Sequence, residues 1–160
     1  SFAERRRPSL GAAVSYSIES PTMPPPELPA GFTTYPENSP FLERLGPLYL
    51  RMDGRKPIIG LRICPHHCNN KGTAHGGLLA TLADISLGKS AGWSQEPRIP
   101  LVTTSLTVDY LGAARLNDWI SAETDFHRVG KEMAFANCYI RSGDKVLARA
   151  NGVYKVLKQI

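Results

Sequence analysis

Apolar and polar residues alternate with two different periods along this chain, and the period changes near Ile99. Beyond that point they alternate one by one. Val102, Thr104, Leu106, Val108 and Tyr110 oppose Thr103, Ser105, Thr107 and Asp109; Ile120, Ala122, Thr124 and Phe126 oppose Trp119, Ser121, Glu123 and Asp125. Ala134, Ala136, Cys138 and Ile140 oppose Met133, Phe135, Asn137 and Tyr139; Val146, Ala148, Ala150 and Tyr154 oppose Leu147, Arg149, Asn151 and Val153. Side chains of a strand point alternately to its two faces, so this pattern predicts four successive strands in a long antiparallel meander. Val129-Gly130-Lys131 and Ser142-Gly143-Asp144 supply turn residues between them.

Upstream of Ile99 the picture differs. Two short strands, roughly Leu48 to Met52 and Ile58 to Cys64, flank Asp53-Gly54-Arg55-Lys56, and Asp-Gly between apolar runs is a hairpin signal. A polar loop from Asn69 to Gly77 then leads into Leu78 through Trp93, a helix expected to end near Gly92. Leu78, Leu79, Leu82, Ile85, Leu87, Ala91 and Trp93 spread too widely around the wheel for a one-faced helix. A helix apolar on all sides is a buried helix, and this one is too short and too polar to span a bilayer. One carboxylate, Asp84, sits in its middle. A shorter helix is predicted from Ser39, a capping residue, through Pro40 at the first helical position to a stop at Gly46, with Phe41, Leu42 and Leu45 packing on the sheet.

A twisted antiparallel sheet with one apolar face, and a helix that must be covered, are solved together if the sheet curls around the helix. The expected class is α+β, with residues 39–160 forming that domain and residues 1–38 a proline-rich N-terminal arm packed on the domain or on a partner. No internal repeats are present.

The chain has 160 residues and a net charge of +5, enough length for one sizeable core and enough positive charge for an anionic ligand. The basic residues are scattered among acids rather than gathered into a stripe with aromatic neighbours, which argues against nucleic acid and for a phosphorylated small molecule. The Arg5-Arg6-Arg7 triplet reads as a solvated tail. Three cysteines, an odd number, argue against a disulfide framework and for a reducing, cytoplasmic setting. No signal-like or membrane-spanning apolar run is visible.

The string Asn69…Gly72-Thr73-Ala74-His75-Gly76-Gly77…Asp84, with four strands after it, resembles the hotdog-fold acyl-CoA thioesterases of the phenylacetate-degradation type, in the 4-hydroxybenzoyl-CoA thioesterase superfamily. The similarity runs from about Ser39 to Leu157. It implies hydrolysis of an acyl-CoA thioester, a site between two subunits of a homodimer that pairs again into a tetramer, and no cofactor beyond the coenzyme A carried by the substrate. It makes Asp84 the catalytic carboxylate, either nucleophile or general base. Asn69 and His75 match positions that orient substrate and water or polarise the carbonyl, and Thr103 matches a hydroxyl contacting the attacking water. Arg128 and Lys131 fall where basic residues meet the coenzyme A phosphates.

Physical chemistry supports parts of this assignment independently. The first N–H groups of a helix have no intrahelical partner, and Gly76 and Gly77 leave theirs unshielded at the positive end of the helix dipole, where an oxyanion would be stabilised. The competing reading is that both glycines serve only close helix–sheet packing. Asp is a poor residue for a buried helix interior unless it has a purpose or a partner; Lys89 or Arg98 would be that partner in the bland reading. Gly76 and Asp84 are separated by eight residues, about 12 Å along a helix axis, so one carbonyl cannot meet both within a chain. Either one assignment fails or two antiparallel helices in a symmetric dimer join them; the resemblance implies the dimer.

Cys64, His66, His67, Cys68 and His75 crowd potential zinc ligands into one stretch. The Cys-x-x-x-Cys spacing fits common zinc sites poorly and no second ligand pair follows, so no metal is expected. Nucleophile-elbow, phosphate-loop and dinucleotide-binding motifs are absent. The competing functions are a non-catalytic acyl-CoA-binding protein of the same fold and, behind it, a hotdog hydratase or dehydratase.

Overall fold

The computed structural model describes residues 27–37 and 39–158. The expected proline-rich arm lies for the most part outside these residues, as does the arginine triplet. Its last stretch belongs to the folded unit: β1 (Thr33–Thr34) pairs with β2 (Tyr49–Asp53), and Phe32 and Tyr35 are buried, Phe32 edge-on against Trp119 at 4.9 Å. Packing therefore begins upstream of residue 39.

The short helix α1 (Pro40–Leu45) forms where expected, with Ser39 accepting from the Leu42 N–H at 3.3 Å and the Gly46 N–H donating to the Leu42 carbonyl at 2.7 Å. None of its residues is buried, and Phe41 is 60% exposed, so it does not pack flat on the sheet as its apolar residues suggested. Instead Leu42 and Leu45 lean on the edge of the core. The hairpin β2 (Tyr49–Asp53) and β3 (Lys56–Arg62) follows, with the ion pair from Lys56 to Glu123 of a later strand at 2.6 Å.

Helix α2 (Gly76–Trp93) crosses the concave face of a single antiparallel sheet. Its remaining strands are β4 (Leu101–Tyr110), β5 (Trp119–Val129), β6 (Met133–Ser142) and β7 (Lys145–Val156), and the strand order is β1-β2-β3-β5-β6-β7-β4. The four-strand meander is thus corrected in one respect. β5, β6 and β7 do meander, but β5 joins β3, and β4 pairs with β7 at the far edge. The reason is the helix: α2 leaves β3, touches every strand from β3 to β4, and delivers the chain to the opposite edge.

The concave face carries small residues where the helix approaches: Ala122, Ala134, Ala136, Ala148 and Ala150 are all buried. Leu82 and Leu87 fill the space between, each essentially inaccessible to solvent; such a side chain contributes about 1.5–3 kcal/mol by burial. α2 is not buried on all sides, however. A stripe of Thr81, Asp84, Ile85, Gly88 and Lys89 remains half-exposed, because a sheet curling from one side leaves the opposite side open.

Two bulges also change which side chains face the helix. The register shift between Thr124 and Phe126 turns Phe126 outward, 52% exposed, against the simple alternation. The shift between Thr103 and Ser105 does the reverse, bringing Thr103 to the helix side with Leu106 and Val108. No helix among the described residues is long and apolar enough to cross a membrane.

Candidate active site

Two groups of residues flank the open stripe of α2. At its start, His75 is the N-cap: its backbone N–H donates to the His67 carbonyl at 2.8 Å, and its Nδ1 accepts from the Gly77 N–H at 2.9 Å. That bond places the ring proton on Nε2, on an exposed side chain. It also revises the expectation of two bare glycine donors. The Gly77 N–H is occupied within its own turn, whereas the Gly76 N–H meets no acceptor among the described residues. Tyr110, near the end of β4, covers Gly76: its hydroxyl donates to the Gly76 carbonyl at 2.9 Å, and a Cβ at Gly76 would come within 3.3 Å of the ring.

Asn69 works within the preceding loop. Its Oδ1 accepts from the Lys71 N–H at 2.9 Å and the Thr73 N–H at 3.3 Å, and its Nδ2 donates to Thr73 Oγ1 at 3.1 Å. This closes a side-chain-braced turn that carries the chain to His75.

Eight residues further along the same helix, Asp84 is half-buried and held by hydroxyls rather than by a cation. Thr103 Oγ1 donates to Asp84 Oδ1 at 2.7 Å; Tyr154 OH lies 3.0 Å from the same oxygen and 3.0 Å from the Asp84 carbonyl. Neither expected ionic partner takes it. Lys89 pairs with Glu37, Arg98 lies over the Trp93 ring at 4.2 Å, and among the described residues no ion pair reaches Asp84. Burial, then the adjacent Asp84 charge, pushes the Tyr154 phenol far above the usual tyrosine range, so it remains a donor. Asp84 opens on a pocket of about 380 Å³ walled by Tyr35, Leu42, Ile85, Trp93 and Leu101.

A second pocket, about 500 Å³, lies on the other side of α1, between Phe41, Leu45, His66, His75 and Leu78. The two histidines of the Pro65–His67 turn secure α1 beside it. His66 Nε2 is 3.1 Å from the Gly46 carbonyl and His67 Nε2 is 2.5 Å from the Leu45 carbonyl, while His67 Nδ1 accepts from the Cys64 N–H at 2.9 Å. Burial holds the His67 pKa below the usual histidine range. The cluster considered for zinc is therefore engaged with backbone, and among the described residues no group of three or more His, Cys, Asp or Glu is arranged to hold a metal.

Thus the structure gathers Asp84 and Thr103, and separately Asn69, His75, Gly76 and Gly77, but one chain does not join the two groups. Gly76 and Asp84 lie on one helix, about 12 Å apart along its axis. Arg128 and Lys131 are exposed, Arg128 near the end of β5 and Lys131 in the turn to β6; neither lines the Asp84 pocket. Tyr154 was missed as a site residue. Its inward phase is legible in the sequence, but its place opposite Thr103 follows from β4 pairing with β7, whereas a simple meander puts β4 beside β5.

The model of the thioesterase superfamily matches residues 71–149. A Pseudomonas aeruginosa protein named "Putative esterase" is 44% identical over 128 residues, 79% of this chain and 96% of that protein. Acyl-coenzyme A thioesterase 13 of Mus musculus is 33% identical over 82 residues, 51% of this chain and 58% of that protein. Among solved structures, a mutant of the phenylacetic acid degradation protein PaaI of Thermus thermophilus superposes with a TM-score of 0.63 at 24% identity, covering 74% of this chain and 100% of the other.

Proposed function

The chain belongs to the thioesterase superfamily, and from that premise we propose that it hydrolyses an acyl-coenzyme A thioester with Asp84 as its reactive carboxylate. The observation that carries this reading is the setting of Asp84: among the described residues no cation pairs with it, two hydroxyls orient it, and it opens on a pocket of about 380 Å³. A merely structural Asp in the middle of an apolar helix would be paired or turned to solvent. The name of the Mus musculus relative supports acyl-coenzyme A as the ligand. Arg128 and Lys131 would meet its phosphates.

In this reading the thioester carbonyl oxygen receives the free N–H of Gly76, reinforced by the helix dipole, and Asp84 supplies the nucleophile. If Asp84 attacks directly, its oxygen adds to the carbonyl carbon, the C–S bond breaks, coenzyme A leaves as thiolate and is protonated, and water then attacks the Asp84 carboxyl carbon of the resulting anhydride, so that the acid departs with the Asp84 oxygen and Asp84 regains one from water. If Asp84 acts as base, it takes a proton from water that adds instead. Single turnover in ¹⁸O-water distinguishes them, because only direct attack places an oxygen of Asp84 in the acid product. His75 presents its Nε2–H toward the same end of the helix, and Asn69 acts by bracing the loop that holds it.

The two halves meet if a second copy completes the site. β4 is the edge strand beyond β7, its outer side without a partner among the described residues, and exposed edges are templates for pairing. Thr103 touches Asp84 near one end of β4, and Tyr110 touches Gly76 at the other. Two β4 strands paired antiparallel about the Leu106–Thr107 step would set Thr103 of one copy opposite Tyr110 of the other. Asp84 would then face the partner's Gly76 across the seam, twice by symmetry.

The test is release of free thiol from a panel of acyl- and aryl-coenzyme A thioesters. Catalytic release, abolished by Asp84→Asn, is the expected result. Saturable binding across the panel with no release would overturn hydrolysis in favour of a binding protein.

A further inference from the structure

Tyr154 is the largest fully buried side chain among the described residues, and its hydroxyl sits between two oxygens of Asp84, with the Thr103 hydroxyl beside it. Its ring lies between two glycines. A Cβ at Gly88 on α2 would come within 3.3 Å of the ring, and a Cβ at Gly152 on β7 within 2.6 Å. Both positions therefore keep the space that the ring occupies. Packing alone does not call for the hydroxyl: phenylalanine would fill the same space without burying a polar group that needs a partner. Thr103 is its cross-strand partner, and the bulge immediately after Thr103 lets both side chains aim at the helix. Both hydroxyls converge on Oδ1, while no donor among the described residues reaches Oδ2.

We propose that Tyr154 is a positioning residue for the reaction, fixing Asp84 through Oδ1 together with Thr103 so that Oδ2 is the oxygen presented to substrate. This rests on the reading of Asp84 as the reactive carboxylate. The single phenolic proton is shared between Oδ1 and the Asp84 carbonyl, so Tyr154 restrains both the carboxylate and the helix turn that bears it. The other titratable groups around the pocket are Tyr35, Glu37 paired with Lys89 of α2, and Cys138 of β6 behind Tyr154; Arg98 lies over Trp93.

The experiment compares wild type, Tyr154→Phe, fluorotyrosine at position 154 and Asp84→Asn by kcat and KM, with folding checked by thermal melting. Tyr154→Phe is expected to lower kcat about ten- to hundred-fold, the scale of a hydrogen bond to a charged group, and to change KM little. A packing defect would lower the melting midpoint while kcat per folded enzyme stayed at the wild-type value. Fluorotyrosine, placed by nonsense suppression, keeps ring and hydroxyl and should restore kcat. Wild-type kcat in the phenylalanine variant, or a loss that fluorotyrosine does not restore, overturns the role of Tyr154 while Asp84→Asn stays inactive. Activity surviving Asp84→Asn removes the premise instead.

Discussion

The two ends of the open stripe on α2 are built from different materials. At Gly76 the available group is a backbone N–H, positioned by the helix itself and by His75, which occupies the next donor in the turn. At Asp84 it is a side chain, positioned by hydroxyls arriving from β4 and β7, elements far away in sequence. The first end is specified by a short contiguous motif. The second exists only once the sheet has closed over the helix. It follows that the Gly76 end should be sensitive to backbone substitution and the Asp84 end to side-chain substitution, with little crossover.

The sharpest break falls at the carboxylate. Asp84→Asn keeps shape and both hydroxyl contacts but removes the charge, and should lower kcat about 10²–10⁴-fold, the usual scale for losing an acid–base or nucleophilic group, with the melting midpoint nearly unchanged. The opposite end requires a backbone change. Gly76→Pro removes the N–H and adds a ring whose Cβ meets Tyr110 as an alanine Cβ would, at a helix position where proline is tolerated, and should cost about 10²–10³-fold in kcat. Gly76→Ala retains the N–H and asks only that the half-exposed Tyr110 ring yield a few tenths of an ångström, so it should stay much closer to wild type. If alanine and proline are equally damaging, the glycine serves packing and not donation.

Smaller effects separate site from scaffold. His75→Ala removes the acceptor of the Gly77 N–H and should cost about 1 kcal/mol of stability by loss of an N-cap, visible as a lower denaturation midpoint at unchanged slope. His67 makes a pH prediction. Burial lowers its folded pKa below the ordinary 6.5, so the unfolded chain binds the proton more readily. Its stabilisation is complete above about pH 6.5 and declines as pH falls from there through the folded pKa. Wild type should therefore lose melting temperature from pH 7 to pH 5 faster than His67→Gln, which cannot titrate.

These differences also explain what was legible in the sequence. The loop-to-helix motif, the buried helix, the hairpin and the strand alternation are local patterns, and they led to the α+β fold before any strand was paired. The capping of α1 by Ser39 was equally local. Strand order was not legible, because alternation gives the faces of β4 without naming its neighbour, and β4 lies beside β7. The same gap hid Tyr154, whose meaning depends on facing Thr103. Phe126 and Thr103 carried the wrong phase for another reason: a bulge adds one residue to a strand and leaves no mark on apolar alternation. The open stripe on α2 was invisible because Thr81, Asp84, Gly88 and Lys89 interrupt an otherwise apolar helix too sparsely to define a polar face.

The central claim is that the two ends belong to one site only across two copies of the chain, and mixing inactive subunits tests it most directly. Asp84→Asn and Gly76→Pro chains carrying different tags are combined, exchange is verified by co-purification, and thiol release is measured. A shared site predicts that each heterodimer regains one intact pair, Asp84 from the Gly76→Pro chain and Gly76 from the Asp84→Asn chain. Random pairing of equal amounts then restores about a quarter of wild-type activity, since half the dimers are mixed and each has one of its two symmetric sites. Verified heterodimers that remain as inactive as their parents would contradict it.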